Sequence, residues 1–177
     1  MNPDFQQSHF ALFGLPERFA LDVTQLDHAW RAVAAEVHPD RFAHAGDAEK
    51  RVALMMATRV NEAYRTLKSP LPRARYLLTL AGVDTQEETN TSMPADFLMQ
   101  QMEWREAIED ASRARDAAAL EKLAVQLSDA SRALERQLGE AIDQEQDLDL
   151  AAALVRKLRF LEKLGQEIDD ALEQALS

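Results

Sequence analysis

His38-Pro39-Asp40, within the stretch "AEVHPDRF" (35–42), places an imidazole and a carboxylate on either side of a rigid proline. A His–Asp pair is the base and orienting acid of nucleophilic catalysis, but with no Ser or Cys in reach this one lacks a nucleophile. His38, Asp40 and His44 have the donor atoms for a metal, yet their spacing matches no strong ligand template. A purely local role is a capping turn in which Pro39 ends a helix and Asp40 bonds nearby backbone amides. The remaining role is recognition, with the two polar groups held outward for another protein to read.

The elements that position the tripeptide narrow the choice. Residues 22–37 form an amphipathic pattern, with Asp22 and Gln25 in capping-box register and Leu26, Trp30, Val33 and Val37 on one helical face. A second helix is predicted from about Asp47 to Leu67, with the stripe Val52, Met56, Val60, Ala63 and Leu67. The link "HPDRFAHAG" is short, which makes the two helices antiparallel neighbours with facing stripes. "HFALFGLP" offers a short helix or turn before them. After them Ser69-Pro70 breaks the pattern, and "PRARYLLTLAG" adds a short helix. Helical hairpins of this kind seldom supply the concave pocket that catalysis needs.

Residues 82–93, "GVDTQEETNTSM", are polar and without period, and read as a linker. Three helices follow, at about 94–112, 116–145 and 148–176. The second carries Leu120, Leu123, Leu127, Leu134 and Leu138, and the third Leu150, Leu154, Leu158, Leu161, Ile168 and Leu172. Leucines at such spacing are core residues, and short links make the three an antiparallel bundle. The expected protein is all-α, with a helical hairpin unit over 1–81, the linker, and a three-helix bundle over 94–177.

Composition restricts function further. The 177 residues include no cysteine, which excludes disulfides, zinc–thiolate sites and cysteine-held clusters. No apolar run reaches the roughly 18 residues of a membrane span, and no signal-peptide plan opens the chain, so a soluble cytoplasmic protein is expected. Residues 1–93 carry 10 Lys/Arg against 12 Asp/Glu, and residues 94–177 carry 10 against 19. That acidity opposes binding to nucleic acid phosphates, which requires clustered cations.

Around the tripeptide stand Phe13-Gly14-Leu15, Asn61-Glu62-Ala63-Tyr64, Leu67, Ser69-Pro70, Arg73 and Tyr76. Over residues 8–76 this constellation resembles a J-domain, the module with which co-chaperones contact DnaK-type ATPase chaperones. The resemblance implies that His38, Pro39 and Asp40 dock on the chaperone, with Arg31 and Arg41 beside them, and trigger ATP hydrolysis there. The protein itself would then be no enzyme. One departure stands out. J-domains usually present several cations on the helix before the tripeptide, whereas "RAVAAEV" offers Arg31 alone, with His28 earlier and Arg41 after the corner. Steering onto an acidic partner should therefore be weaker and less salt-sensitive.

The first bundle helix carries a second apolar face. At about 100° per residue, Trp104, Ile108 and Gln101 fall within about 40° of Phe97 and define the core side. Leu98, Met102, Glu106, Met99 and Glu103 fall about 100 to 240° away. Such a face is either a partner site, for which readily repacked methionine is suited, or the flank of a wide buried arc. In "VRKLRFLEKL" Phe160 lies about 100° from Leu161, flanking the core among Arg156, Lys157, Arg159 and Lys163.

Together, "FLMQQMEWRE", "VRKLRFLEKL" and "SPLPRARYLL" resemble the HscB family, co-chaperones of iron–sulfur cluster biogenesis, across essentially the whole chain. The resemblance implies that the J-domain engages the specialised chaperone HscA and that the bundle holds the scaffold protein IscU. It assigns scaffold binding to Leu98, Met99, Met102, Glu103, Glu106 and Phe160. Some family members carry a cysteine-bearing metal-binding extension; this chain has none, so neither a resident metal nor a cofactor is expected. Rival readings are a J-protein with another client, a helical adaptor whose tripeptide is only a turn, and an enzyme using His38 and Asp40.

Overall fold

The computed structural model describes residues 4–177, and every described regular element is helical. The chain divides into two compact units, one ending at Ala81 and the other spanning Gly82–Ser177.

In the first unit, α1 (His9–Leu12) is one turn capped by the Ser8 side chain and closed by Gly14, whose φ of 64° suits a residue without Cβ. α2 (Val23–Glu36) starts at Asp22, whose carboxylate accepts from the Thr24 and Gln25 amides. α3 (Asp47–Lys68) packs antiparallel to it. The stripes meet as periodicity dictates, with Leu26, Val37, Met56, Val60, Ala63 and Leu67 buried and Trp30, Val33 and Val52 half-buried. α4 (Pro70–Leu80) begins at Pro70 itself, where a missing N–H costs nothing. The proline that breaks the pattern of α3 thus opens the next helix. Arg73 is buried in α4: it donates to the Leu67 carbonyl at 2.8 Å and lies 4.8 Å over the Phe19 ring. Tyr76 ties α1 to α4, accepting the His9 N–H at 2.9 Å while its ring stacks on His9.

The second unit is a bundle of α5 (Ala95–Arg113), α6 (Ala117–Gly139) and α7 (Leu148–Leu176), each in contact with both others. Ile108, Ala111, Leu120, Leu127, Leu161, Leu164 and Ile168 form its centre, and Phe97, Trp104, Leu123, Leu134 and Phe160 pack partly buried around them. Two expectations are corrected. The second bundle helix is not α-helical to residue 145, because Glu140–Glu145 is a π-helical turn with Asp143 and Glu145 in its polar run. Leu150 is 42% exposed rather than core; it sits in the first turn of α7, where its amide caps onto Asp147. Residues 82–93 form no helix, yet they belong with this unit. Thr85 is buried, and its carbonyl accepts from Arg156 of α7 at 3.0 Å.

Candidate functional site

The tripeptide is built as a second, tighter turn after α2. That helix ends at Glu36 with Val37 as C-cap, and Pro39–Phe42 is a 3₁₀ turn with proline in its first position. The cap of this turn is His38, not Asp40. Nδ1 of His38 accepts from the Asp40 amide at 3.2 Å, so the neutral ring carries its proton on Nε2. The Asp40 carboxylate lies 3.6 Å from the same Nδ1, and the two side chains are 58% and 93% exposed. One ring nitrogen therefore holds the turn, and the other carries the donor N–H of the neutral ring. Arg31 and Arg41 are both exposed on the flanking elements.

Beside the turn lies a groove of about 450 Å³ lined by Trp30, Ala34, Val37, His38, Pro39, Ala57 and Asn61. Its wall is braced. Trp30 donates from Nε1 to Asn61 at 3.1 Å and stacks on Tyr64 at 4.5 Å, and Tyr64 donates to Asp27 at 2.5 Å. Sequence periodicity places Trp30 in the hairpin stripe but misses this polar brace, whose signal was the Asn61–Tyr64 segment on the facing helix. Among the described residues no three His, Asp or Glu side chains converge as a metal site.

The helical wheel of α5 translates directly into exposure. Ile108 and Gln101 are buried and Phe97 and Trp104 half-buried, whereas Leu98, Met99 and Met102 are 43%, 64% and 70% exposed. Of the two arrangements open to the outer face, the wide buried arc is therefore not formed. Glu103 and Glu106 are exposed on the same face. Phe160 sits at the boundary between core and surface. It is half-buried, meets Phe97 edge-to-face at 6.5 Å, and carries the Arg105 guanidinium 5.0 Å above its ring. The face thus runs from two carboxylates across three apolar side chains to an aromatic ring covered by the Arg105 guanidinium.

A family model described as the HSCB C-terminal oligomerisation domain matches residues 93–169. A Chromobacterium violaceum protein named Co-chaperone protein HscB homolog is 66% identical over 176 residues, 99% of each chain. The chain belongs to the HscB co-chaperone family. Solved structures agree. The chaperone HscB from Vibrio cholerae superposes with a TM-score of 0.83 at 36% identity, covering 96% of this chain and 99% of that one. Human co-chaperone protein HscB gives 0.88 at 29% identity, covering 94% and 83%. The all-α architecture of a J-domain hairpin followed by a three-helix bundle is therefore that of HscB proteins. The relatives are named as co-chaperones, a binding role. Among the described residues no helix is long and apolar enough to cross a membrane.

Proposed function

We propose that this protein binds the iron–sulfur scaffold protein IscU through Leu98, Met99, Met102, Glu103, Glu106 and Phe160, and delivers it to the DnaK-type chaperone HscA. His38, Pro39 and Asp40, flanked by Arg31 and Arg41, stimulate the HscA ATPase, locking HscA onto the scaffold and favouring cluster transfer. The protein takes no part in bond making; the reaction it influences is in its partner. The carrying observation is that one HscB-family chain presents both an exposed histidine turn and a bundle helix with Leu98, Met99 and Met102 outside its core. Fully burying four exposed side chains of this size would contribute about 6 to 12 kcal/mol gross, and Leu98, Met99, Met102 and Phe160 contribute less because part of each is already covered. Association entropy offsets much of it, which leaves an affinity of roughly micromolar, suited to a delivery factor that must let go.

The test is steady-state ATPase activity of purified HscA with this protein and IscU present. Wild type should accelerate hydrolysis, and His38→Gln should abolish the acceleration with an unchanged helical circular-dichroism spectrum, because the ring is largely exposed. Full stimulation by His38→Gln would remove the docking role. Failure of the protein to retain IscU in a pull-down would remove the client.

A further inference from the structure

Next to the apolar face lies a crevice of about 270 Å³, bounded by the 87–93 segment, α5 and α7. Leu98 and Phe160 belong to its apolar lining, Arg156, Arg159 and Lys163 line its α7 side, and Gln101 lines it from α5. Gln101 is only 5% exposed, and its side-chain amide nitrogen, a donor, has no hydrogen-bond partner. A buried donor left unpaired is costly, which points to an acceptor that arrives with a ligand. The cations are equally unusual for their setting. Residues 82–177 hold 10 Lys/Arg against 22 Asp/Glu, yet four of those ten fall between Arg156 and Lys163. Arg156 is fixed by its bond to the Thr85 carbonyl, and Lys163 is exposed. The single carboxylate in the lining, Glu87, already accepts from the Thr85 hydroxyl at 2.7 Å.

We propose that this crevice receives an aspartate or glutamate side chain of the protein seated on the Leu98–Met102 face, its carboxylate meeting Arg159, Lys163 and the Gln101 amide. The inference rests on the proposed binding of IscU. It is favoured over a free anion because Leu98 and Phe160 belong to both the crevice and the apolar face, so a chain crossing that face passes the mouth of the crevice. With Glu103 and Glu106 on the far side, the surface becomes bipolar, acid on one edge and base on the other. A partner could then seat in one orientation only, since the reversed one sets like charges against each other.

Calorimetry of the full-length protein with IscU, at low and at physiological salt, tests this. Arg159→Gln/Lys163→Gln should weaken binding about tenfold at low salt and flatten its salt dependence. Lys163→Gln, at an exposed position, should give part of the loss without any effect on folding. The Gln101 side-chain NH₂ resonances should shift when IscU is added. Binding within twofold of wild type with an unchanged salt slope, while Met102→Asp still weakens it, overturns the crevice and leaves the apolar face intact. Absence of IscU binding by wild type overturns both. Inorganic phosphate alone moving the Gln101 resonances as far as IscU does would show a free-anion site and also overturn the proposal.

Discussion

Single residues divide between those that hold the fold and those that stand clear of it, and exposure separates them where residue type does not. Met56 and Met102 are both methionines on amphipathic helices, yet the first is 4% exposed and the second 70%. Met102→Asp should therefore leave the melting temperature within about 2 °C. It should weaken IscU binding at least tenfold by calorimetry, because a carboxylate would be desolvated in an apolar contact. A collapse in stability would show that Met102 supports the bundle. His9 belongs to the first group. Its ring stacks on Tyr76, its Nδ1 is buried without a partner, and burial, reinforced by Arg59 and opposed by Glu62, holds its pKa below the usual value. The folded state thus prefers the neutral ring. As pH falls below about 6.5 the unfolded chain takes up the proton first. Stability from this group is complete above that pH and is lost as pH drops toward the depressed folded value. In urea unfolding at pH 7.5 and 5.5, wild type should lose more stability on acidification than His9→Phe, which keeps the stack but cannot titrate. An equal loss in both would assign the acid sensitivity elsewhere.

At the scale of elements, apolar periodicity was enough to place the hairpin and the bundle, because side chains three and four apart share a helical face. It also separated Gln101 from Met102, neighbours on the sequence with opposite fates. What it could not show was how helices end when glycine is absent. The α5–α6 link closes as a Schellman turn, the Asp116 amide bonding the Ala111 carbonyl at 2.9 Å and Arg115 lying at φ 50°. Nothing in the type of residue 115 announces a left-handed conformation. The same blindness applies to the π-helical turn after Gly139, since a run of helix-forming residues reads alike in either geometry. Residues 82–93 were aperiodic and so resembled free linker, but their attachment runs through the Thr85 carbonyl, which every residue type possesses. Arg115→Gly should raise bundle stability by about 0.5–1 kcal/mol, because Arg115 is exposed and glycine adopts the left-handed region without Cβ strain. The urea midpoint measures this, and a fall would mean that the arginine side chain contributes more than its backbone costs.

For the whole molecule, charge is unevenly divided between the two units, which suits the two different partners of the proposed function. Residues 1–81 carry 10 Lys/Arg against 9 Asp/Glu, while residues 82–177 carry 10 against 22. The helix before the histidine turn carries Arg31 as its one Lys or Arg, so chaperone docking there, as proposed, would draw little on long-range attraction and would rely on bringing the client close. In the proposed function covalent connection would do this: a bundle holding the scaffold would bring the turn and the client to the chaperone together, at an effective concentration far above that of free components. A bridge predicts failure in trans. His38→Gln retains the client surface and Met102→Asp retains the turn, so each variant keeps one half of the function. Mixed at equal concentration, the two should not restore IscU-dependent acceleration of HscA, although wild type at half the total concentration does. If the mixture matched wild type, the turn and the apolar face would be acting as independent effectors. Delivery would then have to be replaced by separate stimulation and client binding.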